Sequence, residues 1–296
     1  MLGSKPIMFD FLSEFNFVSE LGHFFTYPIR RPKMSLEKAM LIISTDIDVG
    51  SSKLGAINRG KNDKNVNVRF GEYQIGKVEE LSIPLFVQAF SDFQIPVTLA
   101  VRGQLTEVDS QVLGILLASP VKHDVGAHGY YHRKFTRLTH DEAEDELRMI
   151  SVGMKKCGLI PRTFIFPANC VAHLDLLEKY KYTSYRGYGS FVEDCMWIEK
   201  CGRLYNVHPS IYINQHTSLP LLKKILDISI EKRLPFHIWF HFWNFGEDTK
   251  SVSKSLKNLF APFFRHAREE QENGTLTIET MLSATQKVEK AFKTVP

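Results

Sequence analysis

Residues 39–50 read AMLIISTDIDVG, and the fold is decided there. The opening AMLIIS is apolar at almost every position, not at alternate ones. That pattern suits a short strand buried on both faces, as in a parallel sheet covered by helices. Asp46 and Asp48 follow immediately. Residues two apart on an extended chain project to the same side, about 7 Å from each other. One carboxylate can then bind a metal ion while the other faces a water on that ion. A helix cap or a solvated turn would explain the same two letters.

Outward from this strand, helical and strand-like segments alternate. VEELSIPLFVQAFSDF (78–93) has helical periodicity, and IPVTLAVRG (95–103) reads as the next strand. VDSQVLGILLAS (108–119) is a helix, and HDVGAH (123–128) a strand with its exit loop. A long helix over 138–158 has Thr139 or Asp141 to cap it and Gly158 to stop it. TFIFPAN (163–169), TSYRGYG (183–189) and FHIWFHF (236–242) are further strands, with HLDLLEKYKY (173–182) and LPLLKKILDISIEK (219–232) as helices between them. Such alternation predicts an α/β fold with a parallel sheet. About seven units over this length predict an incomplete (β/α) barrel spanning 39–296. Residues 1–38 are expected to be an N-terminal extension: Phe9, Phe11, Leu12, Phe15 and Val18 have helical spacing before YPIRRPK breaks it. Residues 50–76, rich in Gly, Lys and Asn, are expected to form a long loop at the active-site end.

Composition narrows the function. The chain has 296 residues, 44% hydrophobic and 24% charged, with a net charge of +4. That mild charge, without dense Lys/Arg clusters, argues against nucleic acid as a partner. No stretch approaches the ~18 apolar residues of a membrane span. The N-terminus lacks a secretory pattern, because Asp10 and Glu14 interrupt its apolar run, so a cytoplasmic location is expected. The four cysteines, Cys157, Cys170, Cys195 and Cys201, form no C-x-x-C pair and are expected to be reduced thiols. Homo-oligomerisation stays open.

Two histidine pairs stand four residues apart, His128/His132 and His237/His241. In a helical turn such residues share a face, about 6 Å apart, which suits two imidazoles on one divalent ion. The second pair lies in the strand-like FHIWFHF, where four residues span about 13 Å and cannot share an ion. His241 must therefore act singly, near a strand end where barrel enzymes place catalytic groups. His237 is expected to be packed or hydrogen bonded. Two carboxylates, a close His pair and a lone His, each after its own strand, suit an Asp-His-His metal site with open positions.

These residues resemble the motifs of the polysaccharide-deacetylase family (NodB homology, carbohydrate esterase family 4-like). STDID is similar to the first motif, HGYYH to the second and FIFPAN with SYRG to the third region. IWFHFWNF is similar to the late histidine motif. The resemblance runs from about Leu41 to about Thr280. It implies a distorted (β/α) barrel with fewer than eight units and a divalent metal, zinc being the expected ion. Asp48, His128 and His132 would hold the metal, Asp46 would be the general base and His241 the general acid. It also implies hydrolysis of an N-acyl, expected N-acetyl, group on a sugar or sugar conjugate, with an oxyanion held by an amide near Ala168 or Asn169. Two positions depart from the pattern. Gly129 stands where the family commonly has Ser or Thr. No arginine flanks Pro167, whose neighbours include Ile165 and Ala168, and Arg186 is the candidate to replace it. Tyr130, Tyr131, Trp197, Trp239 and Trp243 could offer faces to a sugar ring.

Rival readings are an allantoinase-like hydrolase of cyclic amides or formyl groups, a catalytically silent sugar-binding barrel, and a metal-free structural barrel.

Overall fold

The computed structural model describes residues 36–58, 71–188 and 196–293. Most of the expected N-terminal extension therefore lies outside the described residues, as does Cys195. One sheet holds ten strands: β1 (Ala39–Ile47), β2 (Thr98–Val101), β3 (Asp124–Ala127), β4 (Thr163–Cys170), β5 (Ser184–Tyr188), β6 (Ile198–Cys201), β7 (Leu204–Val207), β8 (Ile211–Tyr212), β9 (Pro235–His241) and β10 (Leu276–Glu279). Their order is β6-β7-β5-β4-β3-β2-β1-β9-β8, with β10 also paired to β1. Every pairing is parallel except the β6–β7 hairpin. Among the described residues the path has two free ends, β6 and β8, so the barrel is distorted and incomplete.

The covering helices are α1 (Ser52–Asn58), α2 (Gly71–Asp92), α3 (Leu105–Val108), α4 (Gln111–Leu117), α5 (His140–Lys156), α6 (Leu174–Lys179), α7 (Leu219–Lys232), α8 (Thr249–Ser255), α9 (Ala261–Glu272) and α10 (Met281–Lys293). Thr139, not Asp141, caps α5, in a reciprocal box with Glu142. No helix among the described residues is long and apolar enough to cross a membrane.

The period of two in β1 sorts its side chains between two cores. Leu41, Ile43 and Ile47 belong to the layer under the helices, while Met40 and Ile42 belong to a separate interior cluster with Ala100, Ile165, Met281 and Val288. Ser44 and Asp46 continue the interior column toward the C-terminal end of β1. Sheet register does the same on β9, where His237, Trp239 and His241 lie opposite Ile42, Ser44 and Asp46. The interior is thus apolar below and polar at the end where the strands exit.

The expected loop over 50–76 is corrected. Residues 52–58 and those from 71 onward are helical, and 59–70 lie outside the described residues. The glycines there serve close packing. A Cβ on Gly55 would lie 2.4 Å from the Glu72 carbonyl oxygen, and one on Gly76 would lie 2.2 Å from that of Ser51. Only bare backbone lets α1 approach α2 so closely.

A phenylalanine cluster fixes the exit of β9. The Phe86 ring of α2 centres 5.4, 5.1, 5.5 and 5.0 Å from those of Phe240, Phe242, Phe245 and Phe260. Phe240 and Phe242 flank His241, so this packing also sets where that imidazole emerges. Phe86→Ala is expected to cost about 3–5 kcal/mol of stability by cavity formation, read from equilibrium urea unfolding.

Candidate metal centre

The strand ends bring the predicted residues together. Asp46 and Asp48 leave β1, His128 follows β3, and all three are buried, as is His132. The histidine pair does not converge as a helical turn, which corrects the geometry expected from its spacing. It lies in a loop where Gly129 (φ +68°) and His132 (φ +62°) are both left-handed. The curl turns the two rings inward, and their Nε2 atoms stand 3.1 Å apart. Asp48 Oδ1 lies 3.5 Å from His128 Nε2 and 3.4 Å from His132 Nε2.

This donor set fits a divalent ion. Ligands held about 2.0–2.1 Å from a tetrahedral ion stand about 3.3–3.4 Å from one another, close to the three edges found. His128 Nδ1 is 2.8 Å from the Ile165 carbonyl oxygen, so that nitrogen carries the proton and Nε2 keeps its lone pair. Burial lowers the pKa of His132 to about 3, leaving a neutral imidazole able to ligate. Asp48 is held well below the ordinary carboxylate range, because the attraction of His241, His132 and His128 outweighs the opposing effect of burial. Its Oδ1 has no hydrogen-bond donor.

A second group of suitable atoms, on Asp46, Asp48 and His241, overlaps the first. Each of its carboxylates has one oxygen engaged: Arg186 holds Asp46 Oδ2, and Trp243 Nε1 donates to Asp48 Oδ2 over 3.1 Å. A guanidinium beside the pocket further disfavours a second cation, so Asp48, His128 and His132 are the set that fits.

Arg186 is buried and reaches Asp46. It sits on β5 directly across from Ile165 of β4. Its Nη2 donates to Asp46 Oδ2 over 2.5 Å, its Nη1 to Ser44 Oγ over 2.8 Å and its Nε to Asn169 Oδ1 over 3.1 Å. The guanidinium carbon lies 4.4 Å from the centre of the Trp239 ring. Burial pushes the Asp46 carboxyl up, but Arg186, His128 and His241 together bring it below its ordinary value. Asp46 Oδ1 is buried and has no donor among the described residues.

His241 closes the other side, with Nε2 3.9 Å from Asp46 Oδ2 and 3.5 Å from Asp48 Oδ2. Asn244 Oδ1 accepts from both the His241 backbone N–H and Nδ1, each over 3.1 Å, and from the Tyr212 hydroxyl over 2.5 Å. His237 is buried, 2.8 Å from Ser44 Oγ and kept neutral by burial, with a pKa of about 3. Among the aromatics considered for a sugar face, Tyr130 and Trp239 are buried, whereas Tyr131 is exposed and Trp197 and Trp243 are half-buried. Trp243 packs on His241 at 4.9 Å between ring centres and 32° between ring planes.

Two buried glutamates escaped the sequence reading. Glu79 of α2 accepts the amides of Asp48, Val49 and Gly50, the first two over 3.3 and 3.0 Å. Burial and nearby Asp48 raise its pKa to about 8 despite these donors. Glu146 of α5 accepts amides of the histidine loop. Arg102 of the β2 exit adds a hydrogen bond to the Asp48 carbonyl oxygen, 3.2 Å away. A signal for both glutamates does exist. Glu79 interrupts the apolar stripe Ile75–Ile83–Phe86–Phe90, and Glu146 interrupts Ala143–Leu147–Ile150–Met154. A carboxylate on a buried helical stripe requires donors.

No protein-family profile and no curated protein matches this sequence. Solved structures do. A protein assigned as a polysaccharide deacetylase from Mycobacterium smegmatis superposes with a TM-score of 0.63 at 12% identity, over 90% of this chain and 95% of its own. A probable polysaccharide deacetylase from Pseudomonas aeruginosa PAO1 gives 0.61 at 11%, over 85% and 91%. The chain has the polysaccharide-deacetylase fold. Puue allantoinase shares it, with a TM-score of 0.64 at 13% identity over 88% and 94%. In this polysaccharide-deacetylase fold the Asp-His-His group lies at the strand exits, where the barrel brings separate loops together.

Removing Arg186 would leave Asp46 buried beside Asp48 with no fixed positive charge. Arg186→Met is expected to lose about 3–5 kcal/mol of stability, measured by urea unfolding. Arg186→Lys is expected to recover only part of it, because an ammonium cannot span Asp46, Ser44 and Asn169 at once.

Proposed function

We propose that this chain is a divergent polysaccharide deacetylase: a cation-dependent hydrolase that removes an N-acetyl group from a sugar or sugar conjugate. One observation carries the proposal. Asp46 stands beside the Asp48–His128–His132 triangle, with Oδ2 held by Arg186 and 3.8 Å from His128 Nε2, and its other oxygen has no donor among the described residues. A carboxylate so placed is fixed in orientation and ready to accept a proton.

Asp48, His128 and His132 would hold a divalent ion, with zinc favoured by two imidazoles and a carboxylate. The ion would supply Lewis acidity, polarising the acyl carbonyl and acidifying water. The Asp46 carboxylate takes a proton from the attacking water as the water's oxygen bonds to the acyl carbon. The amides near Ala168 and Asn169 are candidates to donate to the carbonyl oxygen as it gains charge. Both residues are left-handed, at φ +53° and +52°. Two consecutive non-glycine residues in that region are costly, and such strain is concentrated at functional turns. His241 Nε2 donates to the leaving nitrogen as the C–N bond breaks. The donation of its Nδ1 to Asn244 leaves Nε2 as the atom that exchanges the proton. The products are a free amine and acetate.

Hydrolysis of a cyclic amide is the second reading, favoured by the equal likeness of the fold to Puue allantoinase. A panel of N-acetylated sugars and cyclic ureides, assayed for acetate release and ring opening, separates the two. Asp46→Asn is expected to keep the cation and lose about 10²–10⁴-fold in turnover. His128→Ala is expected to lose both cation and turnover. Chelator should abolish the wild-type rate. A near-normal rate for Asp46→Asn would remove the base assignment.

A further inference from the structure

The two imidazoles of the metal centre are held in different ways. His128 is oriented through its own ring, because Nδ1 donates to the Ile165 carbonyl oxygen. His132 has no such anchor: its Nδ1 is buried and without a hydrogen-bond partner. The position of the His132 ring therefore rests on the backbone that carries it. That backbone is itself unfavourable, since a non-glycine residue in the left-handed region costs roughly 1–2 kcal/mol.

The turn before His132 is gripped by one carboxylate from another element. Glu146 Oε2 accepts the amides of Tyr130 and Tyr131 over 2.6 and 2.9 Å, and Oε1 accepts Arg133 Nε over 2.7 Å. Both neighbours of His132 in sequence are thus tied to a single side chain. The turn's carbonyls are held as well: Gly103 N–H donates to Gly129 over 2.8 Å and Gln104 N–H to Tyr130 over 3.3 Å. Glu146 is fully buried on a helical stripe whose other members are apolar. Burying a carboxylate costs several kcal/mol unless donors repay it, and among the described residues every donor to Glu146 belongs to the His132 turn. Gly129 is matched to it. A Cβ at that position would stand 3.3 Å from both Glu146 Oε2 and Pro167 Cγ.

We infer that Glu146 is a positioning residue for the cation site, shaping the turn so that His132 meets His128 and Asp48 before an ion arrives. The inference rests on the metal-centre assignment of the preceding subsection. Its test is cation affinity of the full-length chain, stripped with chelator and titrated with Co²⁺ or Zn²⁺ by calorimetry, beside thermal unfolding of the stripped chain. Glu146→Gln cannot accept both the amide pair and Arg133, and is expected to raise Kd by about 10–100-fold. Arg133→Met removes only the outer hold on Oε1 and should give a smaller rise.

The control is Asp124→Asn. Asp124 is also a buried carboxylate, accepting from Thr98, Thr163 and the Leu282 amide at the opposite end of the strands. That variant should lose stability yet keep Kd within about twofold. A merely structural Glu146 would behave as Asp124 does, and equal Kd values for the two variants would overturn the inference. If Glu146→Gln fails to fold, an unmoved Kd in Arg133→Met overturns it instead. A wild-type chain that binds no divalent ion sinks the metal-centre assignment, and this inference with it. A wild type that binds one, with both variants unmoved, sinks the positioning role alone.

Discussion

Arg186 ties together the open end of the barrel. It stands on β5, pairs with Asp46 and Ser44 of β1, reaches Asn169 at the exit of β4 and lies against Trp239 of β9. Four strands are thus joined by one guanidinium with no solvent exposure. The site needs such a group. Two aspartates stand two residues apart in a buried setting where charge is costly. Arg186 offsets one of them, and the triangle of Asp48, His128 and His132 is shaped so that a cation would offset the other. The ordering of the site follows from that balance. Asp46 is held by Arg186 through one oxygen, while Asp48 faces His128 and His132 through one oxygen and His241 and Trp243 through its second.

Much of this could be read from the letters alone. The apolar run before STDID marked the central strand because a doubly covered strand has no polar face. Asp46, Asp48, His128, His132 and His241 were legible because strand ends in a barrel converge, and residues placed there meet whatever their distance in sequence. What was not legible has physical causes. The histidine pair was expected on a helical turn, but Gly129 and His132 adopt left-handed conformations that spacing cannot show. The glycines at 55 and 76 carry the composition of a loop. They serve instead to bring α1 and α2 into contact, a role that depends on the partner backbone. Glu79 and Glu146 lie on helices remote in sequence from the loops they hold, so only their intrusion into apolar stripes hinted at them.

The helices accordingly do more than cover the sheet. α2 supplies Phe86 to the cluster beneath His241 and Glu79 to the amides after Asp48, and α5 supplies Glu146 to the turn of His132. Packing and loop geometry are coupled through the same elements. The folded chain holds its strand exits in place with buried carboxylates and aromatic rings, and the open atoms of Asp46 and Asp48 are presented on that frame.

The register of Ile165 with Arg186 has a consequence for relatedness. Adjacent strands of a parallel sheet offer neighbouring points at one height, so a basic group on either strand can face the same cavity. A linear pattern requiring arginine beside proline would reject this chain, whereas a pattern written in cross-sections of the sheet would accept it. Two proteins can in this way keep the same electrostatic cross-section while sharing almost no letters along the segments that build it.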